Sequence, residues 1–594
     1  MNSYVLTSQV LVYNYSKRKN YWHFWLRSFM SNNRKFLVHI HLIPHLNSLY
    51  SICFLGFPGQ ELLVASDHIQ KRNHHKPAVV GASITLMASV ALVDFDPVKH
   101  AGVSSKRAYR VVLAGFLCFS DYKKVLGSSY ASEEERQLAL SECHLRCAER
   151  SLKVFEENGG IYIKIGQHLS AMGYVIPKEW TNTMVKLQDR CPSTSLKDID
   201  HLFRVDTGKG LDETFDEFDP IALGVASLAQ VHKARLKDSD VWVAVKVQHP
   251  SVSLNSPLDL SMTRWVFKAI KTFFPDFKLM WLADEIERSL PQELDFTREA
   301  KNSIETKEHF AHLSTSLYVP EVMWSKPRIL VMEYVAGARI DNLSFMDEHS
   351  ISRDLVSVDI CHIFNEMIFG KGGHLHCDPH GGNVLIRSKP KNSKSPRNYE
   401  IVLLDHGLYR DIPHELQVDY ANMWLNIINF NEKNLKFYAK KVANVSDENF
   451  PIFATAITGR PYKSLKSLPI GGPNHEEEQK KFISALQKGG MLQSIIRLLS
   501  TMPRLTLLLM KTNDLVRSLD ENLKTKSGPE KLYLIMARYC LRCVYDDKMD
   551  SLWNSRSFWV SKVFKGTYYR LSYLFSSLKY TLAENYFYYK HMYL

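Results

Sequence analysis

The chain has 594 residues, 45% of them hydrophobic and 23% charged, with a formal net charge of +13 and nine scattered cysteines. Such a composition excludes wholesale disorder and a disulfide-stapled scaffold, and leaves room for more than one domain. The positive excess suits an anionic partner; no nucleic-acid motif accompanies it, so it points to a membrane surface and to no nucleic acid.

From Met1 to Gln60 there is no Asp or Glu, while Lys17, Arg18, Lys19, Arg27, Arg34 and Lys35 alternate with Tyr21, Trp22, Phe24, Trp25 and Phe29. An acid-free, basic, amphipathic stretch has the composition of an organelle transit segment, the alternative being a basic tail. Residues 71–76 are basic, and Pro77 to Val93 carries no charge before Asp94 and Asp96. This run is a candidate transmembrane or sorting segment, slightly short for a span. Helical periodicity follows from Glu133 to Glu157, stopped by Asn158-Gly159-Gly160. A second helix carries Ile161, Ile163, Ile165 and Leu169, with Lys164 and Gln167 three apart on one face. The pairs Cys143/Cys147 and Cys540/Cys543 lack a partner pair at zinc spacing and read as packed thiols.

The acidic, turn-rich stretch Asp206 to Phe218 leads into a pattern of spaced chemistry. Gly224-Val225-Ala226-Ser227-Leu228-Ala229-Gln230-Val231 falls on the kinase glycine-rich pattern, with Ala226 and Ala229 at two glycine positions. The added methyls stand where backbone would approach phosphate, so this loop would cover a nucleotide differently. Fifteen residues on, Lys246 lies in a Val-Ala-Val-Lys strand, where an amine can meet nucleotide phosphates if a helix supplies a carboxylate. Residues 292–300 offer Glu293, Asp295 and Glu299 on what reads as one helical segment. Ile329 to Gly337 is a buried strand ending at a connection between lobes, with Glu333 and Val335 as nucleotide-binding candidates.

His376-Cys377-Asp378-Pro379-His380-Gly381-Gly382-Asn383 has the Asp-to-Asn spacing of a kinase catalytic loop. Two β-branched runs, Val384 to Ile386 and Ile401 to Leu404, flank a polar loop and form a hairpin that brings Asn383 to Asp405-His406-Gly407. A carboxylate and a carboxamide are ligands that Mg²⁺ accepts. No Ala-Pro-Glu motif or activation segment follows, which argues against an ordinary protein kinase. Residues 412–545 read as amphipathic helices, notably Leu492 to Leu509 and Glu530 to Tyr545. The final stretch interleaves aromatic residues with Lys562, Lys565, Arg570 and Lys579, which suits a bilayer interface or a helix packed on the domain.

In this order the motifs resemble the UbiB family of atypical kinases, also called AarF-domain or ABC1-type, and within it the branch found in animal mitochondria. The resemblance rests on Lys164-Ile165-Gly166-Gln167, the alanine-containing loop, Val243 to Pro250, Glu293 with Asp295 and Glu299, and the motifs around Asp378, Asn383 and Asp405. It implies an α+β, two-lobed kinase-like fold with an N-terminal helical extension carrying the K-x-G-Q motif and a helical C-lobe. Its segments would be a mitochondrial transit-like stretch 1–76, the 77–93 run, the extension 94–205, an N-lobe 206–336, a C-lobe 337–545 and a helical tail 546–594. Nucleotide, ATP or ADP, would lie on Gly224, Val225, Ala226, Ser227, Val231, Lys246, Glu333 and Val335. Lys246 would pair with Glu299, Asn383 and Asp405 would hold Mg²⁺, and Asp378 would be the base. Lys164 and Gln167 would fold onto Glu293 and Asp295 and close the cleft to protein substrates. Gly381, where the family has Pro, would loosen the catalytic loop, and Val225 would alter the choice of nucleotide. The implied function is an ATPase or small-molecule kinase at the mitochondrial inner membrane, in lipid or quinone homeostasis and cristae organisation; the alternative is a nucleotide-binding scaffold there. Implied partners are anionic mitochondrial membrane, a lipid or quinone ligand and inner-membrane proteins.

Overall fold

The computed structural model describes residues 100–594 apart from 171–175, 190, 192, 274–279, 459–461, 463–497, 499–500, 526–528, 557 and 594. The transit-like segment, the uncharged 77–93 run and the first part of the helix expected from Leu492 to Leu509 (residues 492–497, 499 and 500) lie outside these residues. Among the described residues no helix is long and apolar enough to cross a membrane. Only the longer helices are given labels below.

Among the described residues three of the longer helices precede the lobes: α1 (His100–Leu126), α2 (Glu133–Asn158) and α3 (Ile161–Ser170). Ser132 caps α2 by accepting the Glu135 N–H at 3.1 Å, three glutamates follow in its first turn, and Gly159 ends it at φ 65°. The cap and the acids satisfy the N-terminal amides and dipole, while a positive φ at no cost to glycine turns the chain into α3. Gly166 of α3 is a close-approach glycine, since a Cβ there would stand 2.2 Å from Leu187 Cδ1.

The N-lobe begins earlier than residue 206. Helix α4 (Leu196–Thr207) contains Asp206 and packs Ile199, Leu202 and Phe203 under the sheet, and Asp206 accepts from Arg328 Nε at 2.9 Å. The sheet joins β1 (Phe215–Phe218), β2 (Gly224–Val225), β3 (Ala229–Leu236), β4 (Trp242–Gln248), β6 (Val322–Lys326) and β7 (Ile329–Glu333) in the order β1-β3-β4-β7-β6, with β2 on β3. Alternation along β4 sends Val243, Val245 and Val247 to the α4 face and Ala244 and Lys246 to the other. That second face is covered by α7 (Phe296–Phe310), which follows α5 (Pro250–Phe273) and α6 (Met280–Glu293). Residues 292–300 are therefore two helices instead of one. Asp295 caps α7, accepting from the Thr297 N–H at 3.1 Å, and the break separates Glu293 from Glu299.

In the C-lobe, β5 (Leu317–Tyr318), β8 (Ala338–Arg339), β10 (Val384–Ser388) and β11 (Tyr399–Leu403) form a sheet ordered β5-β11-β10-β8. The β10–β11 pair is the expected hairpin, with Val384 opposite Leu403. Helix α8 (Arg353–Phe369) is buried from Val356 to Phe369 save His362, and leads to β9 (His374–His376), which pairs with β12 (Tyr409–Asp411). The chain passes from β12 directly into α9 (His414–Ile428), so no activation segment intervenes. Among the described residues helices α10 (Glu432–Ala443), α11 (Arg504–Leu523) and α12 (Pro529–Asn554) continue the lobe, with a shorter helix at Phe450–Thr458. The tail is shorter than expected at its start, because residues 546–554 finish α12.

The last helix, α13 (Trp559–Tyr593), packs one face on the lobe: Tyr573 stacks on Tyr545 at 4.6 Å, Asn429 Nδ2 donates to Tyr580 Oη at 2.7 Å, and Arg538 meets Glu584 at 3.0 Å. Its other face exposes Phe564, Tyr568, Leu571, Phe575, Leu578, Leu582 and Tyr586. Those positions recur every three or four residues and make one apolar stripe about 33 Å long.

Candidate active site

Strand β4 and helix α7 place Lys246 against Glu299 in a two-oxygen contact, at 2.7 and 2.9 Å. The ammonium also lies over the Phe296 ring at 5.1 Å and 3.6 Å from Asp405 Oδ2. Burial opposes charge on Lys246, but Asp405 and Glu299 outweigh it and hold the amine above the ordinary lysine range. Two carboxylates share that one cation, and the enclosed one bears the consequence: burial pushes Glu299 up to about 7 against the pull of Lys246.

Helix α7 reaches the C-lobe along one stripe. Glu299 meets Lys246 of the N-lobe sheet, while toward the C-lobe Asn302 Nδ2 donates to the His406 carbonyl at 2.8 Å and Thr306 Oγ1 donates to Tyr409 Oη at 3.2 Å. Spacings of three and four residues put these three on one helical face.

The catalytic-type loop and the Asp405 turn are tied through His376. Its Nδ1 accepts the Asp378 N–H at 3.0 Å and its Nε2 donates to the Asp405 carbonyl at 2.9 Å, which fixes the neutral Nε2–H tautomer. Burial lowers the His376 pKa in keeping with this, and pushes His406 down to about 3. Asp405 Oδ1 accepts the Gly407 N–H at 2.8 Å, leaving Oδ2 toward Lys246. Asn383 closes the short helical turn before β10, and its Nδ2 is buried without a hydrogen-bond partner. The Asn383 carboxamide oxygen and the Asp405 carboxylate across the hairpin are the kinds of oxygen donor that a hard cation such as Mg²⁺ takes. Among the described residues no group of three or more His, Cys, Asp or Glu side chains could hold a metal. A Mg²⁺ ion here would draw the rest of its shell from phosphate and water.

Asp378 Oδ1 lies 3.0 Å from Lys511 Nζ, and His380 Nε2 is 3.8 Å from Oδ2. Burial disfavours its charge, yet Lys511, Lys164 and His380 hold the carboxyl well below the usual carboxylate range. Lys511 is the residue that the sequence reading missed. It sits mid-helix in α11, 133 residues beyond Asp378, with no local motif to mark it.

Lys164 meets Glu293 at 2.9 Å and adds positive potential at both Asp378 and Asp405. The other half of the expected cleft-closing set has different partners. Gln167 Nε2 donates to the Leu187 carbonyl at 3.1 Å, because α3 turns that side chain toward the segment on which Gly166 packs. Asp295 is taken up in capping α7 and lies 3.7 Å from Arg298.

The alanine-containing loop is held from below. His249 Nε2 bonds the Ala226 carbonyl at 3.0 Å, the His249 N–H donates to the Leu228 carbonyl at 3.0 Å, and Ser227 is buried. Gly224 and Val225 pair with Val231 and Gln230. Glu333 turns its carboxylate to Tyr318 Oη at 2.7 and 2.8 Å, so its backbone and that of Val335 are what the lobe connection can offer a ligand. Gly381 has Leu519 Cδ2 at 3.5 Å from an added Cβ, an ordinary contact, so nothing steric demands glycine there.

A model of the ABC1 atypical kinase-like domain matches residues 186–439. The ABC1 family protein MCP2 homolog of Schizosaccharomyces pombe is 96% identical over 91% of this chain and 98% of its own. ABC1 family protein MCP2 of Saccharomyces cerevisiae is 44% identical over 82% and 87%, and mouse AarF domain-containing protein kinase 1 is 38% identical over 74% and 82%. The two fungal relatives thus match at higher identity than the mouse one, although the sequence pattern pointed to the animal branch. With the kinase-like lobes, the Lys246–Glu299 pair and relatives at this identity over most of their length, the chain belongs to the ABC1/AarF family of atypical kinase-like proteins.

Proposed function

We propose that the protein is a Mg²⁺- and ATP-dependent ATPase or small-molecule kinase working at the mitochondrial inner membrane. One observation carries the catalytic part: Lys246, Glu299 and Asp405 form a connected cluster beside Asp378, with Asn383 one hairpin away. Phosphoryl transfer asks mainly for positioning and charge neutralisation, which these groups supply. Lys246, fixed by Glu299, would bind nucleotide phosphates, and Asn383 and Asp405 would hold Mg²⁺. When bound, that ion neutralises phosphate charge. Asp378, ionised through the neutral range, accepts the proton of the attacking hydroxyl as its oxygen bonds to the terminal phosphorus; the bond to the bridging oxygen breaks and its electron pair leaves on ADP. The acceptor is water or a small alcohol, a reading supported by the missing activation segment and by Lys164 bridging to Glu293.

The membrane part is supported by the α13 stripe, with Phe564 and Phe575 about three-quarters exposed and Lys562, Lys565, Arg570 and Lys579 on the same helix. The mitochondrial setting, in lipid or quinone homeostasis and cristae organisation, comes from the family resemblance and the acid-free N-terminal stretch.

ATP hydrolysis by the full chain with Mg²⁺, with and without anionic vesicles, compared with Asp405→Asn, tests this reading. Turnover raised by vesicles and lost in the variant is expected. Nucleotide binding without turnover in the wild type would replace it with the scaffold reading.

A further inference from the structure

Three lysines converge on the cleft, and their partners differ in kind. Lys246 is bound to Glu299 and Lys164 to Glu293, each a carboxylate of the helices between the sheet and the C-lobe. Lys511 has as its partner the candidate base itself, Asp378, at 3.0 Å. The loop from His376 to Asn383 contains no lysine or arginine of its own. Within the loop only His380 approaches Asp378, at 3.8 Å, and α11 delivers the lysine that makes the closer contact at 3.0 Å.

The delivery is rigid. Thr512, wholly buried, donates to the His376 carbonyl at 3.2 Å, and Asn513 Nδ2 donates to Tyr420 Oη at 2.6 Å. Farther along, Leu519 and Leu523 pack with Val384 and Ile386 of the hairpin, and Asp520 accepts from Ser357 at 2.5 Å. Helix α11 is thus clamped to both strands of chemistry, the catalytic-type loop and the hairpin, while the Lys511 side chain keeps about a third of its surface open. A clamped helix with one partly open cation fits a group that exchanges partners, more than one that only staples the loop.

We propose that Lys511 is the acceptor-side phosphate cation of this site: its ammonium passes from Asp378 to the terminal phosphate of bound ATP, freeing Asp378 for the attacking hydroxyl. This rests on the nucleotide-binding reading given above. It assigns a catalytic contact to a residue outside the matched domain of residues 186–439. Because ADP lacks the terminal phosphate, the contact exists only with the triphosphate. The binding signature follows without any need for turnover.

The test is the affinity of the full chain for the Mg²⁺ complexes of a non-hydrolysable ATP analogue and of ADP, by displacement of a fluorescent nucleotide, in wild type, Lys511→Met and Lys511→Arg. In Lys511→Met the ATP analogue should bind about tenfold more weakly while ADP is unchanged, the size of one charge-assisted hydrogen bond; Lys511→Arg should restore most of the difference. ATP turnover should fall about a hundredfold in Lys511→Ala and be partly rescued by added ethylammonium, which a merely structural bridge would not allow. Equal weakening of both nucleotides, or none for the ATP analogue, overturns the assignment while leaving the nucleotide site in place. A wild type that binds neither nucleotide overturns both.

Discussion

Two of the three cation–carboxylate pairs of the cleft are built on opposite plans. Lys246–Glu299 is enclosed, with side chains 14% and 3% exposed, makes two contacts, and lies between a strand and the helix laid directly on it. Lys511–Asp378 makes one contact, with side chains 30% and 26% exposed, between segments 133 residues apart. Once the first pair is desolvated, losing either member strands a charge; water and a ligand can substitute for either member of the second. The first is therefore a lock on the lobe geometry and the second a replaceable contact at the reacting end.

Substitutions that touch only one pair separate the two roles. The largest effect is expected at Asp378, where Asn should lower turnover about a thousandfold while nucleotide affinity stays within a few-fold, measured by steady-state hydrolysis and nucleotide displacement. If Asp378→Asn instead abolishes nucleotide binding, the second pair is a lock as well. Glu299→Ala should cost about 3 kcal/mol in urea unfolding, because Lys246 is left buried beside Asp405 alone. A cost below about 1 kcal/mol would mean that the enclosed pair contributes no more than a surface bridge.

A smaller effect tests the face that neither pair touches. Replacing Phe564 and Phe575 by Ser should weaken binding to anionic vesicles by about 2 kcal/mol without changing thermal stability, since both rings are already in water. A fall in thermal stability would show that the stripe is covered within the protein itself.

The smallest is a pH effect on the lock side. Burial holds His406 at about 3, below its unfolded value, so the unfolded chain binds the extra proton as pH falls from about 6.5 toward 3. The stability that His406 contributes is present above 6.5 and is lost on acidification. His406→Gln should therefore lose about 1 kcal/mol less than wild type between pH 7.5 and pH 5.5, read by urea unfolding at each pH. An unchanged slope would mean that His406 takes up a proton in the folded protein too.

What could be read in advance was whatever a short window encodes. The hairpin of β10 and β11 showed in two β-branched runs around a polar loop, and Lys246 showed in its Val-Ala-Val-Lys strand, fifteen residues after Val231. Residues 292–300 were misread as one helix because three carboxylates in nine residues look like a polar face. The signal against it was there: Asp295 with Thr297 two residues on is an N-cap, and a cap means a new start. The boundary at Asp206 failed because acidic turn composition was weighed above the apolar residues Ile199, Leu202 and Phe203, which belong to the sheet's core. Lys511 was out of reach in principle. A lysine on an amphipathic helix is ordinary, and only long-range packing sets it beside Asp378.

The contact between Lys511 and Asp378 also bears on how the protein is made. Residues 186–439, the matched domain, leave the ribosome well before α11, yet one charge of the site arrives with that later helix. A nascent or truncated chain that ends before residue 511 lacks both the cation on its reacting carboxylate and the Leu519 and Leu523 side chains that pack on the hairpin. Synthesis itself then delays assembly of the full site until the C-terminal helices have docked.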